Sequence, residues 1–244
     1  MTEPTTRRPA NRRERLRAEL DRDIRAAACA LIVKGGVDGM TLADVARAVG
    51  VTPPALYRYY GSKAALVAAV YEDLSADLLA AVSAAAVRQV SDDISAQLHA
   101  ATRAVVEWSV AQPAAFDLVM GSGYRSLSQA DENIPRIISR DLGGLFGGCF
   151  DRLWREGSLT YLDEGDIAPD LARQLHTYRS VVPVEHPLGV TLLMLRCWRQ
   201  IYGLTCLAVY GHMEWTLENH TDFFEQMMEE LLGMLNLTVS PALR

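Results

Sequence analysis

The chain has few of the residues on which enzymatic or metal-binding chemistry depends. Its four cysteines, Cys29, Cys149, Cys197 and Cys206, are far apart and form no C-x-x-C pair, which argues against a disulfide framework or a zinc site. Its five histidines are scattered, and no nucleophile, base and orienting group can be assembled from the sequence. We therefore expect no catalytic residues, no metal site and no cofactor, and we do not expect an enzyme.

A long uninterrupted apolar run is also missing. The most apolar stretch, Pro187 to Tyr210, contains Arg196, Arg199 and Gln200, which would be costly at the depth of a bilayer. The N-terminal segment is charged throughout and lacks the apolar core of a secretory signal. We therefore expect a cytoplasmic protein that has no membrane segment.

Alternation of apolar and polar residues, which is typical of half-buried strands, is not sustained anywhere in the sequence. Apolar residues recur instead at helical spacing almost throughout. Half of the chain is apolar, which is enough for a continuous core. The sequence therefore predicts an all-α fold.

Positively charged residues are fewer than negatively charged ones, and the formal net charge is −6. They are also unevenly distributed along the chain. Residues 1–63 contain 12 lysines and arginines against seven aspartates and glutamates, whereas residues 64–244 contain 12 against 23. The basic N-terminal part is a candidate for binding an anionic partner such as nucleic acid, and a solvated charged tail fits the same composition.

The stretch TLADVARAVGV, Thr41 to Val51, predicts a short capped helix and a tight turn. Thr41 and Asp44 have the spacing of a capping box, and Gly50 can adopt the left-handed conformation that ends a helix. One buried face would be formed by the apolar residues at positions i, i+3, i+4 and i+7, which are Leu42, Val45, Ala46 and Val49.

A second short helix is predicted to follow at once, from Pro53 to Tyr60. Thr52 is its candidate N-cap, and prolines are tolerated in a first turn because the N–H groups there have no intrahelical partner. Leu56 and one or two tyrosines must face inward, so Arg58 is free to face outward. With the helix that precedes Gly35, these two helices predict a helix-turn-helix whose last member is a recognition helix.

This part of the sequence resembles the TetR family of bacterial transcriptional regulators, through the stretches TLADVARAVGV, ALYRYYGSK and AALVAAV. The resemblance implies a homodimer that binds a palindromic operator in double-stranded DNA. The expected domains are a disordered basic arm (1–15), a helix-turn-helix DNA-binding domain (16–63) and a helical bundle for ligand binding and dimerisation (64–244). The resemblance implies phosphate contacts from Thr41, Thr52, Tyr57 and Lys63 and base-edge contacts from Pro53, Ala55, Arg58 and Tyr59.

The arginines of the N-terminal arm allow two interpretations. Arg7, Arg8, Arg12 and Arg13 could follow the minor groove or the DNA backbone, or they could form a solubilising tail.

The C-terminal part resembles one TetR subclass that is named for a Trp-His-Gly pattern. Trp198 and Gly203 keep their places, and Tyr202 stands where the histidine would be. The last two predicted helices are apolar over a wide face. The resemblance implies that they pair with their copies in a four-helix dimer interface, and the alternative is that they form an intramolecular core only.

Between the DNA-binding domain and the dimer interface, the resemblance implies a cavity for a small hydrophobic effector. The candidate lining residues are Trp108, Phe116, Met120, Tyr124, Phe146, Phe150, Trp154 and Tyr178, and ordinary core packing is the alternative for each of them. The resemblance then predicts a repressor that is released from its operator by the effector. An effector-independent regulator, a redox regulator that uses Cys149 or Cys206, and a non-specific DNA-coating protein are the alternatives.

Overall fold

The computed structural model describes residues 12–90, 92–122, 124, 134–212, 215–216 and 220–239. Their regular elements are α-helices and one 3₁₀ turn at Glu164–Asp166, so the predicted all-α fold is confirmed. The helices are α1 (Arg12–Gly39), α2 (Leu42–Ala48), α3 (Pro53–Tyr57), α4 (Lys63–Val87), α5 (Ile94–Ala111), α6 (Pro113–Val119), α7 (Ile134–Arg155), α8 (Pro169–Arg179), α9 (Leu188–Val209) and α10 (Thr221–Met234).

The chain divides into two compact units, Met1–Glu72 and Asp73–Arg244. The predicted boundary after Lys63 coincides with the start of α4, whereas the units divide inside this helix. Leu66 and Tyr71, in the first turns of α4, are fully buried. The two units are therefore not separated by a linker, because helix α4 continues without a break from one unit into the other.

The first unit contains the three helices that the sequence predicts for a helix-turn-helix. Helix α1 packs against α2, and α2 packs against α3. Gly36 interrupts α1 with φ 70° and ψ 174°, which is the position where the sequence predicts the first helix to end. The fully buried core side chains of this unit include Ile24, Ala28, Val45 and Leu56.

The second unit is built around α9. This helix contacts α5, α7, α8 and α10, because apolar residues occupy most of its circumference. The residues of α10 that were expected to pair with a second copy lie mostly in the interior of the same unit. The buried ones are Phe224, Met227, Met228, Leu231, Leu232 and Leu235, whereas Phe223 is 47% exposed. The wide apolar face of α10 is therefore buried largely by contacts within one chain.

One buried carboxylate holds the segment between α7 and α9. Asp151 Oδ1 accepts hydrogen bonds from the backbone N–H groups of Glu185 and His186, both at 2.9 Å, and from His186 Nδ1 at 2.7 Å. Burial lowers the pKa of His186, although Asp151 opposes this effect. These bonds fix the chain directly before α9 begins.

Candidate nucleic-acid interface and ligand cavity

Helix α2 is capped at its start as the sequence predicts. The Asp44 N–H donates to Thr41 Oγ1 at 3.1 Å, and the Thr41 hydroxyl donates to Asp44 Oδ2 at 2.6 Å. Arg47 Nη1 donates to Asp44 Oδ1 at 2.8 Å. The hydrogen bond from Thr41, followed by that from Arg47, lowers the pKa of Asp44. The carboxylate is therefore ionised at neutral pH, and the cap holds the end of α2 in place.

The turn between α2 and α3 fixes the angle at which the second helix leaves. Gly50 has φ +70°, and the Val51 N–H donates to the carbonyl of Ala46 at 2.9 Å. This bond satisfies a carbonyl of the last turn of α2, which would otherwise have no intrahelical partner. A side chain at residue 50 would strain the left-handed backbone, so the glycine is required here.

The N-cap of α3, Thr52, has an extended backbone but makes no capping hydrogen bond with its side chain. Of the two usual donors to an N-cap side chain, Pro54 has no N–H group and the Ala55 N–H is engaged elsewhere. The Ala55 N–H donates to the Thr52 carbonyl at 2.9 Å instead. The predicted N-cap position of Thr52 is correct, and its hydroxyl is not used for capping.

Two residues anchor α3 and its C-terminal turn to the first unit. Leu56 is fully buried, and Tyr60 is 8% exposed. The Tyr60 hydroxyl donates to Asp21 Oδ1 at 2.7 Å and accepts from Arg25 Nε at 2.8 Å. Arg25 also pairs with Asp21 at 3.2 Å. This network of Asp21, Arg25 and Tyr60 joins α1 to the end of the short helix.

The eight residues predicted for DNA binding follow one another from the start of α2 to the start of α4, and none of them is buried. Six of them have exposed or partly exposed side chains, namely Thr52, Pro53, Ala55, Tyr57, Arg58 and Tyr59. The other two make hydrogen bonds: Thr41 to Asp44, as described above, and Lys63 Nζ to the carbonyl of Asp38 at 3.3 Å. An ammonium group has three donors, so this bond leaves Lys63 able to bind another acceptor.

Residues outside the predicted set also border this surface. The guanidinium carbon of Arg17, on α1, lies 5.7 Å from the centre of the Tyr59 ring, within the range of a cation–π contact. Sequence reasoning missed this pair and the Asp21, Arg25 and Tyr60 network. The spacing of Asp21 and Arg25 indicates an ion pair within α1, but nothing local indicates a tyrosine 35 residues away.

The second unit contains a cavity of about 480 Å³, which is in the size range of small-molecule sites. Five of the eight predicted lining residues border it, and these are Met120, Tyr124, Phe146, Phe150 and Tyr178. Sequence reasoning missed much of the lining from α9, including Met194, Trp198 and Tyr202. Trp198 and Tyr202 were identified as part of a subclass pattern, and the apolar circumference of α9 was the available signal.

The other three predicted lining residues lie outside the cavity lining, which corrects the prediction. The Trp108 indole donates to Asp77 Oδ2 at 2.7 Å, so this side chain is fixed against α4. Phe116 is fully buried and packs on the rings of Tyr202 and Tyr210, at 6.2 and 5.9 Å between centroids. Trp154 lies one helical turn beyond Phe150 on α7, past the stretch of this helix that borders the cavity.

The thiols of the second unit bear on the redox alternative. Burial raises the pKa of Cys149 and raises that of Cys197 to about 12. The reactive form of a cysteine is the thiolate, so a raised pKa disfavours oxidation by mild reagents. Cys149, one of the two predicted sensor residues, is therefore in an unfavourable environment for that role.

The described ranges of the chain contain neither a metal-ion cluster nor a membrane-spanning helix. Within these ranges, no three His, Cys, Asp or Glu side chains are grouped as a metal ion would require. No described helix combines the length and the apolar character that are needed to cross a bilayer.

Comparison with known proteins gave matches to both units. Residues 24–70 match the family described as "Bacterial regulatory proteins, tetR family", and residues 98–231 match "Tetracyclin repressor-like, C-terminal domain". The HTH-type transcriptional regulator Mb1846 of Mycobacterium bovis is 25% identical over 177 residues, which cover 72% of this chain and 74% of the relative.

Solved structures share the fold at lower identity. The regulatory protein SCO4313 aligns with a TM-score of 0.70 and 21% identity, over 91% of this chain and all of that chain. The structure of RolR in complex with resorcinol aligns with a TM-score of 0.54 and 15% identity, over 93% and 92% of the two chains.

Proposed function

Because the chain belongs to the TetR family of transcriptional regulators, we propose that it is a homodimeric repressor whose operator binding is controlled by a small apolar effector. Members of this family regulate transcription and are not enzymes. The observation that carries the proposal is the pairing of two features in one chain. The first unit exposes a short, rigidly held helix α3, and the second unit encloses a cavity of drug-like size.

On the DNA side, α3 is proposed as the recognition helix in a major groove. Two supports are the anchoring of Leu56 and Tyr60 on one side and the exposure of Tyr57 and Arg58 on the other. An arginine is the side chain that most often reads guanine, because its fork matches two acceptors of that base. Arg58 is therefore the proposed base reader.

The proposed phosphate contacts lie on both sides of α3. The hydroxyl of Thr52 is available because it makes no capping hydrogen bond to the first turn of α3. Lys63 stands in the first turn of α4, where a positive charge is unfavourable for the helix dipole and favourable for a bound phosphate. The Ser62 hydroxyl already caps this turn by accepting from the Ala65 N–H at 3.1 Å. Phosphate contacts of this kind fix the position of a protein on DNA without reading its sequence.

The effector is proposed to act by a population shift. A ligand in the cavity changes operator affinity only if it binds more tightly to a dimer whose recognition helices no longer fit successive grooves. The size of the change is limited by that difference in affinity. RolR, which shares the fold, was solved with resorcinol bound, and this precedent supports a small-molecule role for the cavity.

The first experiment is selection of bound duplexes from a random-sequence DNA pool, with the full-length protein at physiological salt. We expect enrichment of an inverted repeat whose half-sites lie about one helical turn apart, since a two-fold dimer reads both halves alike. Loss of all enrichment would contradict the proposal of a sequence-specific regulator.

A comparison of two variants then assigns the contacts. Arg58→Ala is expected to relax the preference at one position of each half-site, by about 1–3 kcal/mol. Lys63→Ala is expected to weaken enriched and unrelated duplexes by the same factor, because a phosphate contact carries no sequence information. If Arg58→Ala also weakens every duplex equally, Arg58 is a backbone contact and not a base reader.

A further inference from the structure

We propose that the cavity of the second unit binds an uncharged, flat and mainly apolar molecule that carries a hydrogen-bonding group, and that this group pairs with the Tyr178 hydroxyl. The inference deepens the proposed function and rests on it, because it names the chemical class of the effector.

Among the described residues, the lining carries no charged side chain. The 23 described residues that border the cavity include no aspartate, glutamate, lysine, arginine or histidine. A charged group moved from water into such surroundings has no counter-ion, and its desolvation is unfavourable by several kcal/mol or more. The lining therefore selects against carboxylates, phosphates and ammonium ions, and it favours neutral ligands.

The hydroxyl groups of the lining differ in how they are used. The Tyr202 hydroxyl donates to the carbonyl of Met120 at 2.7 Å, so its proton is already engaged. Tyr178 is half-buried, and among the described residues no group accepts a hydrogen bond from its phenol. Ser139, one helical turn before Gly143, adds a second hydroxyl on the α7 side of the cavity. Tyr178 is thus a lining donor that a ligand can use without breaking an existing bond.

The position of the Tyr178 phenol depends on a glycine. A Cβ atom at Gly143 would lie 2.8 Å from the Tyr178 hydroxyl oxygen, which is closer than such atoms normally approach. Glycine in the interior of α7 lowers helix stability by about 1 kcal/mol relative to alanine, and here it makes room for the hydroxyl group. Burial raises the pKa of Tyr178, so the phenol is neutral at physiological pH and can both donate and accept.

The aromatic side chains favour a flat ligand. Phe146, Phe150 and Tyr124 border the cavity from the α6–α7 side, and Trp198 borders it from α9. Trp198 and Tyr202 lie 6.1 Å apart between centroids with an interplanar angle of 33°. Aromatic rings attract one another in offset or edge-on arrangements, so an aromatic ligand gains contacts here that an aliphatic chain of equal area does not.

The test uses four ligands that share one ring system: 2-naphthol, naphthalene, 2-naphthoate and 2-naphthylmethylammonium. Their binding to the full-length protein is measured by titration calorimetry at pH 7 without DNA. We expect 2-naphthol to bind at least tenfold more tightly than either charged compound. Equal or tighter binding of 2-naphthoate or of the ammonium compound would overturn the inference, and so would a failure of 2-naphthol to bind.

The role of Tyr178 is tested by the loss of one oxygen atom. Tyr178→Phe is expected to weaken 2-naphthol about five- to tenfold and to leave naphthalene unchanged, since only the naphthol can form the hydrogen bond. Tyr161→Phe is the matched control, because Tyr161 is exposed and does not border the cavity. An equal loss for both ligands, or no loss for 2-naphthol, would contradict the assignment of Tyr178.

Failure of the inference and failure of the proposed function can be told apart. If 2-naphthol binds but operator affinity does not change, the class of ligand stands and release by the ligand is contradicted. If a charged naphthalene binds best and an inverted repeat is still enriched from the DNA pool, the regulator stands and the neutral ligand class is wrong.

Discussion

At the scale of single residues, Tyr60 determines how the proposed recognition helix is held. Its phenol stands between the carboxylate of Asp21 and the guanidinium of Arg25, and burial, followed by the bond to Asp21, raises its pKa to about 12. The phenol therefore keeps its proton at any physiological pH and remains able to donate to Asp21. Arg25 completes it by donating to the Ala69 carbonyl at 3.4 Å.

Arg17 is the residue for which we make a prediction on α1. One face of this helix carries, by helical spacing, Ile24 and Ala28 and, nearer the N-terminus, Arg13 and Arg17. The face that is apolar and buried at Ile24 and Ala28 therefore carries arginines towards the start of the helix. Arg17 is exposed and lies over Tyr59. Arg17→Ala is expected to weaken operator and unrelated DNA alike, roughly three- to tenfold at low salt, in a fluorescence anisotropy titration.

The matched control for this prediction is Arg22→Ala. Arg22 is equally exposed on α1 but lies on the side opposite Ile24 by helical spacing. It should leave DNA affinity unchanged. If both variants lose affinity to the same degree, overall charge and not the position of Arg17 explains the effect.

At the scale of helices, Gly203 is the informative position of α9. It is exposed in the middle of the helix, and no described atom lies within 4 Å of the place that a Cβ would take. A glycine there makes the helix less stable by about 1 kcal/mol than alanine would, with no compensating contact inside the chain. A second copy of the chain, packed closely on α9, would supply the reason, because only small residues let two helices approach.

We therefore predict that Gly203→Leu weakens the dimer. The added side chain should overfill the contact and raise the dimer dissociation constant roughly tenfold or more, as measured by analytical ultracentrifugation. Gly148→Leu is the control, since Gly148 is an exposed glycine of α7 that also has no described atom near its missing Cβ. A Gly203→Leu protein that stays as dimeric as the control would exclude this face of α9 as the interface.

The start of each short helix and the end of α2 could be predicted because their signals are local, whereas α3 ends at Tyr57 and not at the predicted Tyr60. Thr41 caps α2, Gly50 ends it, and Pro53 begins α3, so each signal acts within four residues along the chain. The exposure of Tyr57, Tyr59 and Tyr60 could not be ranked from the sequence. Which tyrosine turns inward depends on Asp21 and Arg25 of another helix, and this is a tertiary contact.

The lining of the cavity in the second unit was predicted only in part for a related reason. Phe146 and Phe150 face the cavity from α7, whereas Trp154, one turn later on the same helix, does not border it. The aromatic character of a residue does not reveal where along a helix a cavity ends. Likewise, a wide apolar face such as that of α9 is expected both for a dimer interface and for the central helix of a bundle. In the structure, contacts with four helices of its own unit account for most of this face.

At the scale of the whole molecule, the two parts of the sequence have charges of opposite sign. Residues 1–63 carry an excess of positive charge, and residues 64–244 contain 23 aspartates and glutamates against 12 arginines. A protein that coats DNA without regard to sequence gains from positive charge over its whole surface. The acidic second part opposes such binding, and the excess of positive charge in residues 1–63 favours DNA contact through the first unit.

Because of this separation of charge, the salt dependence of DNA binding can be used to count the phosphate contacts of the first unit. Each cation that neutralises a phosphate contributes about 0.9 to the slope of log K against log salt concentration. In a two-fold dimer, Lys63→Gln removes two such contacts, so the slope should fall by about two. Arg88→Gln removes the same charge from an exposed site of the second unit and should not change the slope. If the slope falls by only about one for Lys63→Gln, the protein binds DNA through one subunit at a time. If the slope falls equally for both variants, net charge, and not a positioned lysine, holds the duplex.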